Sequence, residues 1–158
     1  LILLLALGLA GCGESVKDDH FTANQSADAA AADEAAPDPV VPGAVPVRIG
    51  ELGASFNACG HAGTTRHLQA GQQLPVRAAP YETAPETGQV AAGTQFFICS
   101  RSHDQRWMGI VYDAGGTLAS ACGVSSPVSS RRDYDGPCRS GWVSSAFVKL
   151  IGGNGPNS

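Results

Sequence analysis

Cysteine and histidine are the residues of this sequence whose types could carry chemistry. A cysteine thiolate can attack a substrate, ligate a metal ion, or be consumed in a disulfide. Cys59 and His61, together with His67 and His103, could be drawn as zinc ligands. However, no Cys-x₂-Cys pair and no His-x₃-His spacing supports such a site. The sequence therefore predicts no metal site and no cofactor. Its five cysteines are Cys12, Cys59, Cys99, Cys122 and Cys138.

The chain opens with an apolar segment, residues 1–11, that ends directly at Cys12. A helix needs about 20 such residues to cross a bilayer, so this segment is typical of the apolar part of a secretory signal peptide. Because it has neither an initiator Met nor a basic beginning, we expect the natural start to lie upstream. An ordinary signal peptide that happens to be followed by a cysteine is the competing interpretation.

Leu9-Ala10-Gly11-Cys12 resembles a bacterial lipobox. The resemblance implies cleavage before Cys12 and acylation of Cys12, which would make the membrane a partner through the attached lipid. Several acyl chains suffice for stable anchoring. Position 13 is Gly and not the Asp that retains many lipoproteins in the inner membrane. The resemblance therefore implies a cell-envelope protein on the periplasmic side of the outer membrane, with display at the cell surface as an alternative.

Composition separates a tether from a domain. The net charge of −4 gives no reason to expect a nucleic-acid partner. Residues 13–46 hold seven acids against one lysine, with nine Ala and four Pro, whereas residues 47–158 hold seven acids against nine Lys and Arg. A segment with so little apolar surface cannot offset its ordering entropy. We therefore predict a lipidated, flexible tether over residues 12–46. For Val47, Ile49 and Leu52, two interpretations stay open: packing on the domain, or continuation of the linker.

Two stretches resemble the bacterial SH3-like (SH3b) family. Gly141-Trp142-Val143, followed by small residues and Phe147-Val148, is similar to the family's C-terminal strand, one-turn helix and closing strand. Upstream, Leu74-Pro75-Val76-Arg77-Ala78-Ala79-Pro80 resembles its opening motif. The resemblance implies a mainly β fold, a small SH3-like β-barrel over residues 55–152, with a disordered tail at 153–158.

Within this barrel, strand alternation predicts which side chains share a face. Met108, Ile110 and Tyr112 should line the barrel core, while Trp107 and Val111 should lie opposite. The run Gln95-Phe96-Phe97-Ile98-Cys99-Ser100 is apolar on both faces, which fits a strand that is covered on both sides. Gly141 should either allow two backbones to approach closely or turn the chain before a strand.

The chain departs from the SH3b pattern by inserting Asp113 to Ser140 between two strands. A loop of this length is usually functional or disordered, and the cysteines within it add a third interpretation, that it is stapled. If Cys12 is acylated, four cysteines remain for an oxidising compartment, and three pairings are possible. The SH3-like layout favours Cys122–Cys138 within the insert, and Cys59–Cys99 between the N-terminal extension and a central strand.

Ligands of SH3-like domains usually meet the surface between the RT-like loop, the next loop and the final turn. The side chains predicted to bind a ligand are Tyr81, Trp107, Tyr134, Arg131 and Arg132. Arginines suit anionic groups such as the carboxylates of peptidoglycan stems, although solubility accounts for them equally well. Trp142 is expected to pack in the barrel, because a large aromatic side chain in a strand is usually buried.

The function predicted from the sequence is a non-catalytic lipoprotein whose domain binds peptidoglycan or a periplasmic protein. No Gly-x-Ser-x-Gly elbow, phosphate loop or His-Glu-x-x-His motif occurs. The alternative is a structural or inhibitory periplasmic partner protein without affinity for the cell wall. A thiol peptidase is less favoured, because oxidised cysteines leave no thiolate nucleophile. The sequence does not indicate an oligomeric state.

Overall fold

The computed structural model of this protein describes residues 41–153. The predicted signal peptide, Cys12, residues 13–40 of the predicted tether and residues 154–158 of the predicted tail lie outside the described residues. The described part is mainly β, as expected, with two short 3₁₀ turns at Ser120–Cys122 and Ser145–Phe147. Its nine strands are β1 (Arg48–Ile49), β2 (His61–Thr65), β3 (Gln73–Arg77), β4 (Glu86–Ala91), β5 (Gln95–Arg101), β6 (Trp107–Tyr112), β7 (Arg132–Asp133), β8 (Arg139–Ser144) and β9 (Val148–Gly153).

Seven strands form one antiparallel sheet in the order β4-β3-β8-β6-β5-β2-β9, and β1 pairs with β7 in a separate two-stranded ladder. The sheet is open. Its edges are β4 and β9, and no ladder joins them within residues 41–153. The prediction of a closed barrel is therefore corrected to an open, seven-stranded sheet. The junction of β3 with β8 is especially short, with one paired position, Arg77 opposite Trp142.

One face of the sheet carries an inner core. The alternation of β6 places Met108, Ile110 and Tyr112 in this core, as predicted from the sequence. Phe96 of β5 is fully buried in the same core. Strands from both edges of the sheet contribute, through Val90 of β4 and Val148 of β9. Side-chain packing thus unites the two halves of the sheet, although their edges share no hydrogen bonds.

The opposite face carries an outer core that the sequence analysis only partly anticipated. Phe97 and Cys99 of β5 and Trp107 and Val111 of β6 point into it, which confirms the predicted division of the two faces. All six residues of β6 are buried. Strands that are covered on both faces read as continuous apolar runs, and this is why β5 and β6 lack a polar face.

The N-terminal segment, residues 41–60, supplies part of the outer cover. Val47 and Ile49, on either side of the exposed Arg48, are 2% and 1% exposed. The backbone N–H of Val45 donates to the carbonyl of Ala78 at 2.8 Å. Val47 and Ile49 thus pack on the sheet N-terminal to residue 55, where the sequence analysis placed the start of the domain, and the backbone of Val45 is bonded to it. The burial of Val47 and Ile49 against the sheet compensates for the entropy lost on ordering this segment.

The insert supplies the rest of the cover. Its irregular part is residues 113–138, after which β8 begins. Its strand β7 pairs with β1. The N–H groups of Ala58 and Cys59 donate to the carbonyls of Ser126 and Val124, at 2.9 and 3.2 Å. Val124 is fully buried. The insert and the N-terminal segment thus form one layer over the sheet.

Two disulfides lock this layer, in the pairing that the SH3-like layout favoured. Cys59–Cys99 joins the N-terminal segment to β5 across 40 positions, and Cys122–Cys138 staples the insert across 16. Of the three interpretations of the insert, the stapled one is confirmed. In the chain-entropy model, these loops contribute about 4 and about 3 kcal/mol to stability.

Gly141 is the position where the sheet requires a glycine. A Cβ built there would lie 3.0 Å from the carbonyl oxygen of Arg77 and would also collide with the side chain of Val76. The close backbone approach predicted from the sequence is therefore present. It brings β8 against β3, next to the groove described below.

Candidate functional site

Three of the five residues predicted to bind a ligand lie in different surroundings. Tyr81 is in the loop between β3 and β4 and is 45% exposed. Trp107 begins β6, is 6% exposed and packs into the outer core. Tyr134 lies in the insert, partly buried against the same core. They do not form one continuous aromatic surface around a common cavity.

Tyr134 is occupied by internal hydrogen bonds. Its hydroxyl donates to the carbonyl of Cys122 at 3.0 Å and accepts from the N–H of Cys138 at 3.1 Å. It thereby bridges the two ends of the disulfide that staples the insert. Burial raises the pKa of Tyr134 above its usual value, the nearby Asp135 carboxylate raises it further, and the Cys138 N–H opposes them. The geometry assigns Tyr134 to the stability of the insert.

The two predicted arginines are engaged by carboxylates. Arg131 Nη1 lies 3.2 Å from Glu51 Oε2, and Arg132 Nη1 lies 3.3 Å from Asp135 Oδ1. The side chains of both arginines are about half exposed, so these pairs add little to stability. Arg131 does tie the insert to the N-terminal segment, through Glu51. Neither arginine lines the groove beside Trp107.

That groove, here the Trp107 groove, is a shallow cavity of about 160 Å³. It lies between the loop after β3 and the 3₁₀ turn before β9. Apolar side chains alternate in it with polar ones that can make hydrogen bonds. Its lining is Leu68, Gln73, Leu74, Pro75, Arg77, Glu82, Trp107, Ser144 and Phe147.

Backbone contacts hold the walls of the Trp107 groove. Arg77 Nη1 donates to the carbonyl of Ala84 at 2.9 Å, which fixes the loop that carries Glu82. On the other side, Trp107 is paired with Ser144 in the β6–β8 ladder. The N–H of Ser145 donates to the carbonyl of Arg106 at 2.9 Å, which fixes the start of the final turn. A groove held by strands and by bonded loops is preorganised for binding.

The insert leaves the Trp107 groove open. None of the lining residues belongs to residues 113–138. The insert packs instead on the N-terminal segment through β1 and β7. Of the predicted binding residues, the structure therefore brings only Trp107 to this groove.

Sequence reasoning missed Gln73 and Glu82 as groove residues. Gln73 and Glu82 are exposed polar residues of ordinary type, so nothing in the sequence distinguished them. Phe147 also lines the groove, and its place in the final turn of the SH3-like motif is the sequence signal that points to it. Trp142 lies nearby but is buried, and its Nε1–H donates to the carbonyl of Val45 at 2.6 Å. This agrees with the packing role predicted for Trp142.

Neither metal chemistry nor a membrane-spanning helix has structural support in the described part of the chain. Between residues 41 and 153, no group of three His, Cys, Asp or Glu side chains is arranged to hold a metal ion. No helix in the same range is long and apolar enough to cross a membrane.

Comparison with protein-family models, with curated proteins and with solved structures finds no match to this chain. The functional argument therefore depends on the residues and on their geometry.

Proposed function

We propose that this chain is a non-catalytic lipoprotein of a bacterial cell envelope, anchored through Cys12, whose SH3-like domain binds peptidoglycan or a periplasmic protein. The Trp107 groove is the proposed binding site. It is the observation that carries the proposal, because it combines preorganised walls, apolar surface and hydrogen-bonding groups and is not covered by the insert.

Two further observations support the proposal. The order of β8, a 3₁₀ turn and β9 is that of the SH3b C-terminal motif. The four cysteines of the domain are joined in two disulfides, which suits an oxidising compartment such as the periplasm. The same pairing removes the thiolate that a thiol peptidase would need.

The test is retention on purified peptidoglycan sacculi. The full chain with Cys12→Ala, which prevents acylation, is incubated with sacculi at low and at high NaCl. We expect retention that falls with salt, because cell-wall carboxylates meet a domain with a slight excess of basic residues. Absence of retention at low salt, together with one co-purifying periplasmic protein, would instead support the structural or inhibitory partner protein.

A matched pair of variants locates the site. Gln73→Glu adds a negative charge inside the Trp107 groove, and Gln95→Glu adds the same charge at the exposed start of β5, outside it. For a cell-wall ligand, we expect Gln73→Glu to reduce retention by about 3- to 10-fold, since one repulsive contact near a protein surface costs on the order of 1 kcal/mol. Equal retention of the two variants would move the site away from the groove.

A further inference from the structure

A second cleft, here the His61 cleft, lies apart from the Trp107 groove and shares no residue with it. Its volume is about 410 Å³, which is within the usual range for small-molecule sites. The N-terminal segment forms one wall, and β2 and β5 form the floor and the other wall. Its lining is Glu51, Leu52, Gly60, His61, Ile98, Cys99, Ser100 and Arg101.

Leu52, Ile98 and Cys99 form the apolar part of the His61 cleft. Leu52 is 53% exposed, although it packs over Gly60, where a Cβ would collide with its side chain. Ile98 and Cys99, at 4% and 6% exposed, form the floor. Cys99 is joined to Cys59, so the disulfide fixes the N-terminal wall against β5. The cleft thus offers a fixed apolar surface that is open to solvent.

The polar part of the cleft is rich in hydrogen-bond donors. Arg101 and His61 are exposed, and neither has an ion pair or a side-chain hydrogen bond within residues 41–153. Glu51 does not neutralise Arg101, because its carboxylate is bound by Arg131 at 3.2 Å and by Arg48 at 3.8 Å. An arginine without a carboxylate partner, beside an apolar wall, suits a bidentate anion that carries an apolar group.

We propose that the His61 cleft binds the carboxylate of a small amphipathic ligand, with its apolar group against Leu52 and Ile98. The carboxylate accepts from the Arg101 guanidinium and the His61 ring N–H. A peptide C-terminus and a free short-chain acid share this chemistry. The proposal is independent of the function proposed for the Trp107 groove.

The experiment is an NMR titration of the full chain carrying Cys12→Ala, labelled with ¹⁵N. The probes are hexanoate and acetyl-Ala-Leu, each compared with its amide. We expect both acids to shift the amide signals of residues 51–52, 60–61 and 98–101, with dissociation constants of about 1 mM, corresponding to a small ligand with one charged contact. A response to acetyl-Ala-Leu alone would identify a peptide C-terminus, and a response to hexanoate alone would identify a free acid.

Two arginines with the same charge make a matched control. Arg101→Gln should weaken binding of the acids by about 10-fold, in line with the 1.4 kcal/mol per decade of affinity that one charge-assisted bond can supply. Arg106→Gln removes the same charge from the exposed turn after β5 and should leave binding unchanged. Leu52→Ser should also weaken binding without changing the charge.

The proposal is overturned if the unsubstituted domain shows no shifts in the cleft at saturating probe, if the amides shift the same signals as the acids, or if Arg101→Gln binds as well as Arg106→Gln. Retention on sacculi is unaffected by these outcomes, because it reports the Trp107 groove. Conversely, Gln73→Glu should leave the titration with hexanoate unchanged.

Discussion

At the scale of single residues, aromatic side chains that look suited to a ligand are used here to make internal bonds. Tyr134 bridges the carbonyl of Cys122 and the N–H of Cys138. Trp142 donates from its indole to Val45 and so holds the N-terminal segment on the sheet. Buried Tyr and Trp usually find such partners, because an unpaired polar group away from water costs free energy. Among the predicted ligand residues, Trp107 alone reaches the open groove.

Tyr134→Phe should lower the free energy of unfolding by about 1–2 kcal/mol, because it removes both hydrogen bonds and leaves two backbone groups without their partner. Tyr81→Phe is the matched control. The side chain of Tyr81 is 45% exposed, so loss of its hydroxyl should change stability by less than about 0.5 kcal/mol. Urea unfolding at neutral pH measures both. Equal stability of the two variants would contradict the bridging role.

The same residue gives the domain an alkaline pH dependence. The pKa of Tyr134 is raised in the folded state, mainly by burial. The stabilisation that Tyr134 contributes to the folded state is fully present below the unfolded tyrosine pKa of about 10. It is lost as pH rises through the higher pKa that Tyr134 has in the folded state. The stability difference between the unsubstituted protein and Tyr134→Phe should therefore shrink as pH rises above about 10.

At the scale of elements, the unusual feature is the layer that covers the outer face of the sheet. It consists of two segments that are distant in sequence, the N-terminal segment and the insert. β1 and β7 join them, and each segment carries a disulfide. Because β1 and β7 have only two residues each, this ladder alone would be marginal. The disulfides and the burial of Val47, Ile49 and Val124 make the layer stable.

Mild reduction should open the insert before the N-terminal segment. Cys138 is partly exposed, whereas Cys59 and Cys99 are 0% and 6% exposed, so a reductant reaches Cys122–Cys138 first. Hydrogen exchange should then rise over residues 119–138 while β5 and β6 stay protected. The double variant Cys122→Ala/Cys138→Ala should lose about 3 kcal/mol of stability.

The matched double variant Cys59→Ala/Cys99→Ala should lose about 4 kcal/mol, since its loop is longer. It should also weaken hexanoate binding in the His61 cleft, whose N-terminal wall this disulfide fixes. In the reduction experiment on the unsubstituted protein, faster hydrogen exchange in β2 and β5 before any change in the insert would contradict the predicted order of opening.

At the scale of the whole molecule, the proposal is a domain presented from a membrane by a tether. The charge contrast supports this arrangement, because the acidic residues 13–46 differ from the nearly neutral residues 47–158. Both proposed binding surfaces, the Trp107 groove and the His61 cleft, would then be accessible to envelope components.

Cys12→Ala should move the protein from the membrane fraction to the soluble periplasmic fraction, because acylation of Cys12 is the proposed anchor. The domain should keep its fold, since residues 41–153 form both cores without Cys12. Fractionation with immunodetection measures the location, and circular dichroism of the released protein checks the fold. A variant that still sediments with membranes would refute the lipobox interpretation.

The sequence by itself determined the local features of this protein. Alternation along β5 and β6 correctly separated the two faces, because strand geometry places successive side chains on opposite sides. An even number of domain cysteines indicated disulfides, and the SH3-like layout gave their pairing. The close approach at Gly141 was also predictable, since a glycine within a strand often marks a place where a second backbone comes near.

The tertiary structure alone decided what covers the sheet and where cavities open. Residues 41–46 read as linker, and the placement of Val47, Ile49 and Leu52 stayed open, because these few apolar residues gain stability only by packing on distant strands. The closed barrel was not formed, because pairing of β4 with β9 depends on sheet curvature, which no local pattern encodes. The groove and the cleft are each lined by segments far apart in the chain. Such sites arise from non-local contacts, whereas propensity and alternation report only on neighbours in sequence.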